Sequence, residues 1–451
     1  MSLFCCSTRR LPELPAIDLR QFSGDVGAAL AQQFAEAKAN SMDADRLLRL
    51  GMLLQAHDQF QMAAQSYARV HGIDPRRFDA LYYWGNALAS TGRNPEAVDR
   101  LRQALHLRPA SVPARLKLAD LLRESGDSRE SAEIYRAVLR EQPENAIAHF
   151  GLGRLLDPRA AVDEYRKAIA IFPRYGAAQF ALAEAYRRLN EPAQAESAMR
   201  DYDRDKTVLP PENDPEMAAV RALNVSPTGL LSRAAELERD GRLPESLDLL
   251  NRAIAADPRL VDAHSNAISI YGRLGRDADA ERAYAQAIRL DANQPEAYYN
   301  FGVFCFERNR LTEAKSAFDK VVRLNRRHAE ALHNWGAILE REAEWDKAAA
   351  LYERALEARP SYPLAHFHLG RIYANQKRYQ EAIREFEKSL EPSSDATPAY
   401  LYALAATTAR SGARGRALEL MRQARAQARA LGQSALVASI DRDLGALGAG
   451  K

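Results

Sequence analysis

Asparagine returns at a fixed interval in the C-terminal half of this 451-residue chain: Asn266, Asn300 and Asn334 stand 34 residues apart, and His368 takes the next place in the series. A primary amide offers an acceptor and two donors, so a row of them can pair with the peptide groups of an extended chain without reading its side chains. Glu296 and Glu330, with Asp262 before them, run alongside the row. They would select basic side chains on such a ligand; in the first turn of a helix they would equally well offset the macrodipole. Tyr299 and Phe367 directly precede Asn300 and His368 and add the aromatic surface typical of interface anchors. In the N-terminal half, Tyr82 and Asn86 repeat the combination. The candidate site is therefore one for binding a peptide, and no residue is assigned a catalytic role.

Other chemistries lack their residues. The chain has no G-x-x-x-x-G-K-[ST] phosphate loop and no H-E-x-x-H zinc motif. His366 and His368 are too close along one helix to share a face, and His328 and His333 are equally ill-spaced as metal ligands. Cys305 falls at an apolar helix position and reads as a small core residue. No cofactor, metal or small-molecule substrate is expected.

The elements that would position the asparagines are set by a repeat. Pro75, Pro109 and Pro143 are 34 residues apart, and Pro258 and Pro360 are separated by 102, three such intervals. Gly302, Gly336 and Gly370 follow the same period. After each glycine comes a small residue and then a large one, as in Gly85–Ala97–Leu101, Gly336–Ala348–Tyr352 and Gly370–Ala382–Phe386. Apolar residues at helical spacing, a small residue on each helix for close approach, and a proline past the second helix predict a two-helix hairpin repeated along the chain. One hairpin cannot bury its apolar face alone, so neighbours must stack.

This register resembles the tetratricopeptide repeat, whose pattern runs W-x2-L-G-x2-Y, A-x3-F, P. The resemblance implies an all-α fold, a right-handed solenoid of about eleven repeats whose first helices line a concave groove. The asparagine row is similar to the ladder in the tetratricopeptide superhelix of O-GlcNAc transferases, which holds extended polypeptides. The chaperone-binding subclass clamps a carboxylate with a Lys/Asn/Asn/Lys/Arg set; the matching positions here carry Tyr82, Asn86, Lys117, Ile147 and Gly151, so that set is absent.

The expected organisation is an extended tether over 1–24, a capping helix over 25–43 and five repeats over 44–209. A linker with a short helix follows over 210–226, then six repeats over 227–432 and a terminal helix and tail over 433–451. The fourth repeat is short, since Pro143 and Pro173 are 30 residues apart. With 63 Lys+Arg against 60 Asp+Glu, the charge balance fits polypeptide partners better than nucleic acid. No stretch is long and apolar enough to span a membrane. The default is thus a cytoplasmic protein-binding scaffold or adaptor. Two other readings stay open. Cys5 or Cys6, ahead of Leu11–Pro15, would suit a lipid-anchored assembly factor of the cell envelope; the chain could also target a separate glycosyltransferase.

Overall fold

The computed structural model describes residues 11–211, 213–391 and 394–449, and it contains helices and no strand among them. Cys5 and Cys6 lie outside the described residues. The chain divides into two compact units, one ending at Arg233 and the other beginning at Ala234. In the first unit, the helix Gly24–Ala39 precedes the hairpins Ala44–Ala56/Phe60–Ile73, Phe78–Ser90/Asn94–Leu107 and Val112–Glu124/Ser128–Glu141. Ala146–Gly153/Pro158–Ile171 and Gly176–Arg188/Pro192–Asp205 complete the five. The helix Pro227–Arg239 crosses the divide and is followed by Leu243–Ala256, whose Ser246 hydroxyl donates to the Ala234 carbonyl at 2.7 Å. Four further hairpins start at Val261, Pro295, Ala329 and Pro363, a fifth at Thr397, and the helix Ser434–Ala449 follows them.

Local chemistry fixes these boundaries. Asp43, Ser111, Asn145 and Asp157 cap the helices that follow them, their side chains accepting hydrogen bonds from first-turn amides. Except in the shortened fourth repeat, the chain turns between the two helices of a repeat through one left-handed residue, among them Gly92, Gly126, Gly275 and Gly412. Asp58, Asn309, Ala343 and Lys377 take the same conformation at the equivalent turns, so glycine is not obligatory there.

The small residue of the first helix is a contact point. A Cβ on Gly336 would stand 2.8 Å from the Tyr352 ring, and one on Gly370 2.9 Å from Phe386. Gly51 meets Tyr67 and Gly302 meets Phe318 in the same way. Sixteen residues separate glycine and ring in each case. In the shortened fourth repeat Gly153 meets Tyr165, twelve residues on, which places the four-residue deletion between them. Its first helix has 8 residues where most others have 13.

A second device joins repeat to repeat. The rings of His149, His264 and His366 donate through Nε2 to the carbonyls of Pro143, Pro258 and Pro360, at 2.9, 3.1 and 2.8 Å. Gln179 and Tyr298 make the same bond to Pro173 and Ala292. The fourth residue of a first helix thereby pins the turn that precedes it. The second residue reaches forward to the next turn: Asp45 pairs with Arg77, and Asp262 accepts from Gln294 at 2.7 Å.

Candidate functional site

The segment between the fifth and sixth repeats lies on the first unit. Val208 accepts from the amide of Gly176 at 3.3 Å, and the chain then crosses the first helices of the preceding repeats. Asp214 starts the helix Pro215–Arg221: one carboxylate oxygen accepts from the amide of Met217 at 2.9 Å, the other from the phenol of Tyr82 at 2.6 Å. Glu216 pairs with Arg108 at 2.5 Å, and Gln55 Nε2 lies 3.9 Å from Met217 Sδ. Val220 is buried in the core of the first repeats, with Met217 and Leu223 packed beside it. Residues 208–211 and 213–223 form a strap held by its own short helix. The expected linker is thus a packed part of the first unit, and the divide falls after it because Met217, Val220 and Leu223 give its helix an apolar face to bury.

A cavity of about 790 Å3 remains between the strap and the repeats. Tyr82 and Asn86 line it with Lys117, Asp120, Asn145 and the strap's Pro210. Tyr82 is only 2% exposed, and Asn86 donates to the Tyr82 carbonyl at 3.0 Å. Burial and the carboxylates of Asp79, Glu216 and Asp214 push the neighbouring Tyr83 phenol well up. Tyr82 and Asn86 thus already face polypeptide, and it is the chain's own.

In the second unit the asparagine series splits. Asn266 is half-buried, and its side chain makes no hydrogen bond among the described residues. Asn300 donates to the carbonyl of Ser265 in the preceding repeat at 2.8 Å. Asn334 sits 3.1 Å from His333 Nδ1, and its amide works against the burial that pushes the Tyr299 phenol up. His368 joins a polar knot: its Nδ1 is 2.8 Å from Glu340, which also accepts from Tyr352 at 3.0 Å and Arg371 at 2.5 Å. Burial works against the Glu340 charge, but the bonds from His368, Arg371 and Tyr352 hold its carboxyl below the usual range. His333 packs against Tyr352, Tyr362 and His368; burial, and then the charge of His368, push its pKa down to about 4.

Most of the flanking candidates are engaged too. Glu330 pairs with Arg359. Glu296 is exposed. The Tyr299 ring lies 4.8 Å from His328, and Phe367 4.6 Å from Tyr400. Cys305 is fully buried and its thiol is pushed up to about 11 by that burial. No group of three His, Cys, Asp or Glu among the described residues is placed to hold a metal, and no described helix is long and apolar enough to cross a membrane.

A tetratricopeptide-repeat model matches residues 44–112, 116–157, 265–329 and 333–400. The chain belongs to the tetratricopeptide-repeat family. Among curated proteins it is 34% identical over 98 residues to a peroxisomal targeting signal receptor of Candida glabrata, covering 21% of this chain and 16% of that protein. It is 24% identical over 285 residues to a cellulose synthase operon protein C of Pseudomonas fluorescens, covering 58% of this chain and 22% of the relative. The chain thus spans less than a quarter of the length of either relative. A solved structure of yeast Tom70 aligns over 86% of this chain and 93% of its own, at 14% identity and a TM-score of 0.41.

Tetratricopeptide proteins generally mediate protein–protein interactions. In this tetratricopeptide chain the functional residues that sequence reasoning passed over are those of the strap. Asp214-Pro215 is a cap followed by a first-turn proline, and Met217, Val220 and Leu223 recur at helical spacing. Those signals predict a short amphipathic helix; they carry no sign of the surface that receives it.

Proposed function

We propose that the chain is a non-catalytic adaptor: the second array receives an extended segment of a partner protein, while the first keeps its groove filled with the strap. The strap is the observation that carries this reading. A tetratricopeptide face in this chain holds polypeptide through side chains at groove positions, by the Tyr82–Asp214 and Arg108–Glu216 pairs. Tyr299 occupies the place of Tyr82 in the second array with Asn300 next to it, and Asn266 and the outer oxygen of Asn300 can serve a bound backbone. The likeness to a protein named as a targeting-signal receptor is in keeping with recognition of a segment.

A photo-crosslinking residue at Val303 or Ala337, on first helices, should trap a partner polypeptide, and one at Arg282, on a second helix, should not. Replacing Asn266, Asn300 and Asn334 together by Ala should weaken that capture while helix content stays the same. Crosslinks confined to Arg282, or capture indifferent to the three substitutions, would overturn the reading.

A further inference from the structure

The four-residue deletion in the fourth repeat leaves a notch. The helix Ala146–Gly153 stops after 8 residues, and the amides of Arg154, Leu155 and Leu156 close back on Phe150, Leu152 and Gly153. Where a last helical turn would stand there is a cleft of about 630 Å3. Its walls are aromatic: Phe150 and Tyr165 lie 6.0 Å apart and Phe180 and Tyr202 5.0 Å apart, ring centre to ring centre. Phe180 is 42% exposed, although phenylalanine is among the residues most often buried. The strap leaves this cleft uncovered, since Pro210 and the residues after it line the other cavity.

The rim is cationic. Arg154 lies over the Phe150 ring at 5.5 Å, and Arg188 follows from the last turn of Gly176–Arg188. Both are exposed, and neither makes an ion pair among the described residues. They contrast with the cleft's other charges: Glu184 pairs with Arg187, and Lys206 with Asp203 at 3.0 Å. An aromatic-walled cleft with two uncommitted guanidinium groups complements an apolar ring that has carboxylates beside it, because Arg binds carboxylates in a forked geometry.

We propose that this notch is an anchor site for an acidic segment of a partner protein. It receives one aromatic side chain between Phe150, Phe180 and Tyr202, with neighbouring carboxylates held by Arg154 and Arg188. The site is separate from the second-array groove and exists because the repeat lost one turn. Nucleic acid could use rings and arginines in a similar way, but Glu184 lies in the wall and the chain carries 60 acidic against 63 basic residues.

The test is fluorescence anisotropy of a labelled Glu-Asp-Trp-Asp-Glu peptide on the full chain. Saturable binding is expected, at least tenfold weaker when Trp is changed to Ala or the acids to Lys. Phe180→Ala should weaken it at least tenfold, and so should Arg154→Glu combined with Arg188→Glu; all three positions are exposed, and circular dichroism confirms retained helix. Replacing Asn266, Asn300 and Asn334 by Ala should leave it unchanged. Failure to saturate at millimolar protein, equal binding of the Lys peptide, indifference to the notch variants, or displacement by oligothymidylate would each overturn the proposal.

Discussion

The two arrays share one repeat and use the same positions for opposite ends. In the first, Tyr82 at the fifth place of its helix reaches out to Asp214 of the strap. In the second, Tyr299 at the same place turns to the array itself, its ring 4.8 Å from that of His328. The twelfth place tells the same story. Gln55 accepts from Tyr67 at 2.8 Å and meets the strap's Met217; Glu340 accepts from Tyr352 and gathers His368 and Arg371. The repeat register determines where a side chain stands. Whether it serves a ligand, a strap or the neighbouring repeat depends on what the sequence places opposite it.

The widest expected gap between the arrays lies at that twelfth place. Glu340→Ala removes the buried carboxylate that holds the half-buried His368 and the exposed Arg371, and should cost the second unit about 2 kcal/mol, since hydrogen bonds to a charged group are the stronger ones. Gln55→Ala removes neutral bonds and should cost about 1 kcal/mol. Guanidinium titration of both variants, followed by hydrogen exchange within each unit, measures the difference; equal costs would erase it.

Acid should separate the units next. The His333 ring has a pKa near 4 in the folded chain against 6.5 for the free side chain. Between those values the unfolded chain binds more protons, so stability rises with pH. The contribution, about 3 kcal/mol at most, is complete above pH 6.5 and lost as pH falls toward 4. His57 in the first unit shifts the same way but is only half-buried. Melting followed from pH 7 to pH 4.5 should therefore show the second unit weakening faster, and His333→Leu should flatten its slope.

Asp214→Ala removes both a helix cap and the Tyr82 bond, worth together about 2 kcal/mol. Its effect should be local: amides of 216–221 exchange faster while the repeats stay protected, and the first groove becomes open to added peptide. Protection that falls uniformly across the first unit would mean the strap is inseparable from the repeats. The finest contrast lies inside the asparagine row. Asn300→Ala loses its bond to Ser265 and should cost about 1 kcal/mol, whereas Asn266→Ala should be within about 0.5 kcal/mol of neutral. Denaturant midpoints of the two variants check this directly.

The periodic part of the fold was legible because its signals are local. First helices begin at Ala44, Phe78, Val112 and Ala146, and again at Pro227, Val261, Pro295, Ala329 and Pro363, at the 34-residue spacing that the prolines and glycines carry. Caps such as Asp43 and Asp157 act within three residues, so they can be read from the chain alone. The candidate site was less legible. Asn300 meets a carbonyl 35 residues away and Tyr82 a carboxylate 132 away. Those partners follow from helix packing and from the path of the strap, and neither leaves a mark on the local pattern.

The strap also sets an order of events for folding. Ties between neighbouring repeats, such as Arg102–Glu130 and Asn300–Ser265, span 28 and 35 residues; Arg108–Glu216 and Tyr82–Asp214 span 108 and 132. Closing a loop costs about 0.6 kcal/mol more for each doubling of its length, a modest penalty at equilibrium that still delays distant contacts. Hairpins can stack as soon as each emerges from the ribosome, while the strap cannot close until residue 221 has been made. For that interval of synthesis the first groove exists unfilled, so the newborn chain presents a surface that the finished one has covered.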